Sequence, residues 1–293
     1  AGERLYSTST IGFATMRIGD NLLVRPYAAF PHPNFLAYSL SFSSIYLLYL
    51  FPMFRRKYLF GIAFGIIQIG ILVTFSRVLI LLYLCWLAYF LFKNLFPSVI
   101  LIRQLAEKNP NKILHSVQDD KKKWMSILGV LGIGLLSFVY GLLYRDRFLD
   151  LLTRPRDLLF RVESIQAAFE IIKSNWLIGT GLNNYFYYMI DIQKNFSPVF
   201  LQPPHNIFVL ILLQTGILGL ILFATFLFQT VFRLFTNLKT AEGFSRRFFQ
   251  ATMAVLIVTL VSGVFDHFIL TVQQGQLLGA VLIGLAWSSV ERE

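Results

Sequence analysis

Along most of the chain the apolar residues come in long runs, neither striped nor alternating, with short polar breaks between them. Seven such runs stand out, at residues 36–53, 58–75, 78–96, 124–143, 205–232, 248–268 and 272–289. Each is about 18 residues or longer, enough for a helix to cross the ~30 Å hydrocarbon core of a bilayer. Strands of a membrane β-barrel would instead alternate apolar and polar positions over about ten residues. The pattern predicts an all-α polytopic membrane protein with about seven transmembrane helices. One interval, 145–204, is far longer than a connector needs to be and reads as a large, partly helical loop, a length that usually accompanies function.

Composition narrows the class in the same direction. Of 293 residues, 56% are hydrophobic, 16% aromatic and only 14% charged, and the mean hydropathy of +0.64 is too high for an ordinary soluble domain. The single cysteine, Cys85, lies inside a run and reads as a small apolar filler, with no disulfide framework or metal cluster around it.

The net charge of +11 could point to nucleic acid, but its distribution gives another reason for it. Most of it sits in three connectors: "RRK" at 55–57, the 93–123 segment, and 233–247. These alternate with poorly basic turns, as the positive-inside rule requires of cytoplasmic loops. On that rule the chain divides into an extracytoplasmic N-terminal segment (1–35), three spans (36–96), a cytoplasmic linker (97–123), one span (124–144), an extracytoplasmic loop (145–204) and three further spans (205–293) with a cytoplasmic loop at 233–247. No nucleic-acid partner is needed. The first 35 residues are placed outside without any export signal of their own, so further spans are expected upstream of residue 1. In the linker, His115, Asp119 and Asp120 read as solvated surface groups.

The long loop carries the candidate chemistry. Within it a helix is expected at 157–174, capped by Asp157, with Leu158, Leu159, Val162, Ile165, Phe169 and Ile172 in one apolar stripe and Arg161, Ser164 and Ala168 toward the opposite side. It ends at "SNWLIGTGLNNY", where Gly179 and Gly181 allow tight turns and Tyr185 to Tyr188 suit the headgroup level. "GTGLNN" is a glycine turn and not a dinucleotide fingerprint, because no strand precedes it. Arg145, Arg147, Arg154, Arg156 and Arg161 outnumber Lys173 and Lys194, and the guanidinium fork is the better bidentate partner for phosphate. Arg77 lies in a hairpin too short to leave the membrane boundary, where an arginine is a functional candidate by default. Arg25 lies in "VRPYAAFPHPNF", near His32, in the proline-rich approach to the first span.

His205 and Asn206 stand directly before an apolar run, followed after nine residues by Gly216 and Gly219. This H-N-x9-G-x-x-G pattern, together with "RVESIQAAFEIIKSNWLIGTGLNNY", "RPYAAFPHPN" and "TFSR" in the same order, resembles the O-antigen ligase and polymerase superfamily, over nearly the whole chain. The resemblance implies a membrane glycosyltransferase that needs no metal or cofactor. Its donor is a glycan carried on a polyprenyl diphosphate, and its acceptor a hydroxyl on a lipid A core, a growing glycan or a protein. It places the active site on the extracytoplasmic side of the bacterial inner membrane, in contact with membrane lipid, and puts about five further helices upstream. Carried onto this sequence, His205 would be the general base and Arg77 and Arg161 would bind the diphosphate. Asn206, Arg25, Asp266 and His267 would have supporting roles. Gly216 and Gly219 read as sites of close helix packing. The same implication leaves polysaccharide polymerase and protein O-oligosaccharyltransferase as alternatives. A polysaccharide or lipid transporter is the competing class, but it would more often show internal repeats, and none is evident.

Overall fold

The computed structural model describes residues 14–18, 21–108, 156–192 and 202–288, with Gly141 and Arg145 standing alone. It is mostly helical. A two-stranded antiparallel hairpin, β1 (Thr15–Ile18) and β2 (Asn21–Val24), comes first and was not apparent in the hydropathy pattern. Three helices follow: α1 (Pro33–Leu50), ending in a 3₁₀ turn at Phe51–Met53, then α2 (Lys57–Val73) and α3 (Arg77–Lys108). The loop contributes α4 (Arg156–Asn175) and α5 (Tyr185–Ile192). The C-terminal part holds α6 (Ile207–Thr240), α7 (Gly243–Phe265), the single turn α8 (Phe268–Thr271) and α9 (Gln273–Trp287).

Three helices among the described residues are long and apolar enough to cross a membrane: Pro33–Met53, Ile207–Thr240 and Gly243–Phe265. The expected count of about seven is therefore reached only in part. The run 124–143 lies outside the described residues except for Gly141, and 78–96 falls within α3. The run 58–75 becomes α2, an apolar helix of 17 residues, and 272–289 becomes α9, of 15 residues. At 1.5 Å per residue these two rise about 26 and 22 Å, short of the ~30 Å core.

The helices are joined by hydroxyl and amide pairs as well as by apolar packing. The α1 and α7 helices run antiparallel, stitched by Asn34 to Asp266 at 3.0 Å, Tyr38 to Thr259 at 2.6 Å and Tyr46 to Thr252 at 2.7 Å. Ser44 on α1 meets Tyr83 of α3 at 2.7 Å and accepts from Gln68 of α2 at 2.9 Å. Such interhelical bonds contribute about 0.6 kcal/mol each in a membrane, where apolar surface alone gives helices little reason to associate. Around them Ile45, Ile71, Tyr83, Leu234, Phe249, Val255 and Leu282 are packed without solvent contact to speak of.

The loop helix packs mostly on the side opposite the stripe its pattern favours, although Ile172 of that stripe is buried and Ile165 half-buried. Ser164, Ala167, Ala168, Ile171 and Ile172 are buried, whereas Leu159, Val162 and Phe169 of the expected stripe are exposed. Small residues let α4 approach α6 closely, so Ala167 and Ala168 share a core with Leu210 and Leu213. Asp157, expected as the cap, falls inside α4, and its side chain lies outside the described residues. Cys85 is exposed rather than filling space between helices.

Candidate active site

Local sequence rules bring several helix ends to one end of the bundle. His32 precedes Pro33, which disfavours helical backbone for it, and His32 is extended (φ −154°, ψ 143°) as the N-cap of α1. Its Nδ1 accepts the Asn34 backbone N–H at 3.1 Å. Asn206 caps α6 in the same manner. Its Oδ1 accepts from the N–H groups of Phe208 (2.9 Å) and Val209 (3.1 Å), a capping arrangement that contributes about 1 kcal/mol. Asp266, also extended, ends α7, and its Oδ1 accepts the His267 N–H at 2.8 Å.

The last carbonyls of a helix lack partners inside it, and here they draw in polar side chains from elsewhere. Arg161 Nη1 donates to the Phe265 carbonyl at 2.7 Å, and Asn206 Nδ2 donates to that of Val264 at 3.2 Å. At the end of α2, Arg25 donates through Nε and Nη2 to the Thr74 carbonyl at 3.0 and 2.9 Å. Arg25 Nη2 also donates to Asn34 Oδ1 at 2.9 Å, and Asn34 Nδ2 donates to Asp266 Oδ2 at 3.0 Å. A chain of hydrogen bonds thus runs from the α2–α3 turn through Arg25 and Asn34 to Asp266.

Against this scaffold the imidazoles gather. The rings of His205 and His267 meet edge to face with centroids 5.0 Å apart, and His32 packs on Phe268 at 4.4 Å. His267 Nδ1 lies 2.7 Å from Thr271 Oγ1. His205 Nδ1 is buried and has no hydrogen-bond partner among the described residues. Burial pushes the His205 pKa down to about 3, helped by the nearby Arg161 charge and by His267 and His32. His32 is lowered to about 3 by burial, then Arg25, His267 and Arg161. His267 is lowered to about 4 by burial and then Arg161. All three rings are neutral at physiological pH. Burial raises Asp266, opposed by the hydrogen bond from Asn34 and by Arg161.

The structure therefore brings together His205, Asn206, Arg161, Asp266, His267 and Arg25 from the predicted set. Arg25 is buried and serves the scaffold. Arg77 is the first residue of α3, three positions after the Thr74 whose carbonyl Arg25 holds. His32 and Asn34 take part in the site although neither is assigned a role there by the sequence pattern. Their signal was the "HPN" triplet, in which a proline sets a helix start with polar residues on both sides. Among the described residues no group of three or more His, Cys, Asp or Glu side chains is placed to hold a metal ion.

Gly216 has a different role from the helix packing expected of it. It has φ +65°, ψ −170° and breaks α6 rather than packing it against another helix. Gly219 sits where a Cβ would run into the Thr215 side chain of the same helix.

A family model described as O-antigen ligase matches residues 63–224. That interval includes Arg77, Arg161, His205, Asn206, Gly216 and Gly219, and leaves Arg25, Asp266 and His267 outside. No curated protein and no solved structure matches the chain.

Proposed function

Because the chain belongs to the O-antigen ligase family, a group of membrane ligases and polymerases, we propose that it transfers a glycan from a polyprenyl diphosphate to an acceptor hydroxyl, at the bundle end where His205 and Arg161 meet. The observation that carries this reading is the buried Nδ1 of His205, which has no partner among the described residues and lies on a ring packed against His267 and within the field of Arg161. Leaving such an atom unpaired costs about 1–3 kcal/mol, and an acceptor hydroxyl approaching it would supply the missing hydrogen bond.

In this mechanism the acceptor oxygen attacks the anomeric carbon while His205 takes its proton. The glycosidic bond to the diphosphate breaks, and the leaving diphosphate keeps the electron pair. Arg161, held by the Phe265 carbonyl, has further N–H donors for the anion, with Arg77 as the second guanidinium. A base with pKa near 3 is weak, and part of that weakness comes from Arg161. A bound diphosphate offsets the Arg161 charge, so the base strengthens when the donor is in place. Asn206 and Asp266 position the ring and the helix ends around it, and His267 packs against His205. The basic connectors at the opposite end support an extracytoplasmic site in the bacterial inner membrane.

The test is direct. Full-length protein in lipid vesicles is mixed with a polyprenyl-diphosphate glycan and candidate acceptors of the three kinds: lipid A core, glycan and protein. Transfer to one of them, with release of the polyprenyl diphosphate, is the expected result. Absence of transfer to all three, with uptake of the glycan into sealed vesicles instead, would replace the proposal with transport.

A further inference from the structure

We propose that residues 174–190 form a re-entrant segment seated among the lipid acyl chains, with Trp176, Leu177, Ile178 and Leu182 facing the tails. The break in α6 is the first observation. At Gly216 the helix opens, so the Leu213 and Gln214 carbonyls lose their ordinary partners, the N–H groups of Ile217 and Leu218. The loop fills all four positions with its own backbone. Thr180 N donates to Leu213 O and Gly181 N to Gln214 O, each at 2.9 Å, while Ile217 N donates to Trp176 O at 2.8 Å and Leu218 N to Leu177 O at 3.4 Å. The two backbones approach so closely that neither glycine tolerates a side chain. A Cβ on Gly179 would strike the Gln214 carbonyl, and one on Gly216 would strike that of Leu177.

Water could satisfy an opened helix turn at the surface. Inside the hydrocarbon region, away from a water-filled cavity, only protein can, so an opened turn there must be paired with other backbone. The opened turn lies within Ile207–Thr240, the most apolar of the candidate spans, and its repair by a second strand of chain is what that environment demands. Side-chain chemistry agrees. Between Lys173 and Asp191 the sequence has no charged residue, although the loop on both sides is charged. On the inner face Tyr185 and Met189 join the core made with α4 and α6. On the outer face Ile178 and Leu182 are 71% and 73% exposed, and Trp176 is 59% exposed. These are large apolar side chains that lipid would cover and water would not favour.

Site-directed spin labelling of the full chain in lipid vesicles tests this without any glycan substrate, so its failure would leave the proposed activity standing. In a Cys85→Ala background, nitroxides are attached at Ile178→Cys, Leu182→Cys and, as a reference, Lys173→Cys. Oxygen, which concentrates in acyl chains, is compared with a water-soluble nickel chelate as the relaxing agent. The expected result is an inversion: oxygen dominates at positions 178 and 182, and the nickel chelate dominates at 173. Nickel dominance at 178 and 182 would place the segment in water and overturn the proposal. Shielding from both agents at those positions would place it inside protein and overturn it equally.

Discussion

The two ends of the helical bundle use positive charge in opposite ways. At the end formed by the α1–α2 and α6–α7 connections, Arg55, Arg56, Lys57, Lys239, Arg246 and Arg247 are exposed. Lys57 is exposed, donates to the Phe51 and Pro52 carbonyls and lies over the Phe51 ring. At the other end Arg25 is only 7% exposed, and Arg25 and Arg161 each hold a carbonyl at the C-terminus of a helix. Number and sidedness decide what the first set does, since loop charge orients a chain in the membrane without any fixed geometry. Position decides what the second set does, because a guanidinium near buried rings changes their protonation. Charge at the first end is interchangeable, and at the second it is not.

The sharpest way to break that contrast is at its centre. His205→Ala is expected to reduce glycan transfer about 10²- to 10⁴-fold, the range for loss of a general base, while the protein still folds and inserts. Transfer rates on purified protein measure it, and undiminished activity would remove His205 from the chemistry. Arg161→Lys is expected to cost about 10²-fold, the scale of losing an electrostatic clamp on a developing anion, because an ammonium cannot keep the Phe265 carbonyl and a diphosphate fork together. A variant with full activity would place the clamp elsewhere.

A third change concerns the scaffold. Asp266→Ala leaves Asn34 Nδ2 and the His267 N–H without their acceptor, at about 1–3 kcal/mol for each buried group. A fall in thermal stability should accompany the loss of transfer, and Asp266→Asn, which keeps an acceptor oxygen, should recover part of both.

Acid should weaken the same end of the molecule. The histidine pKa is 6.5 without the protein around it, against about 3 for folded His205 and about 4 for folded His267. Between those values the unfolded chain binds more protons than the folded one. The stability contributed by keeping these rings neutral is thus complete above pH 6.5 and is lost as pH falls toward 3–4. Melting temperature measured across that window should decline, and the decline should be shallower in His267→Gln. The smallest effect is expected at the opposite end, where Arg246→Gln should change stability by no more than about 0.5 kcal/mol, as for other exposed sites, and leave transfer unaltered. A large loss there would erase the contrast between the ends.

How much of this was legible depended on how local each feature is. The apolar runs that become α1, α6 and α7 are visible because a span must present an apolar surface all round over its whole length. Asn206 marks a helix start through bonds to residues at most three positions away, and Pro33 does so through its fixed φ. The pattern on α4 misled, since close approach to α6 is made through small side chains and not through the large apolar ones. There the small residues Ala167 and Ala168 face the partner helix, and Leu159 and Phe169 face out. The runs at 58–75 and 272–289 were equally legible as helices, since α2 and α9 begin and end within two residues of them at 17 and 15 residues.

The sequence by itself determined that this chain folds as apolar helices in a membrane, and that an H-N pair stands before one span with arginines on the connecting segments. Those properties follow from composition and from spacing within a few turns. Only the tertiary structure decided that Asn34 and Asp266, 232 positions apart, share a hydrogen bond, that Arg161 reaches the end of α7, and that Gly216 opens a helix for another segment to repair. Each of those depends on the register in which antiparallel helices pack, which is fixed by side chains far apart along the chain and leaves no periodic trace in any one stretch of it.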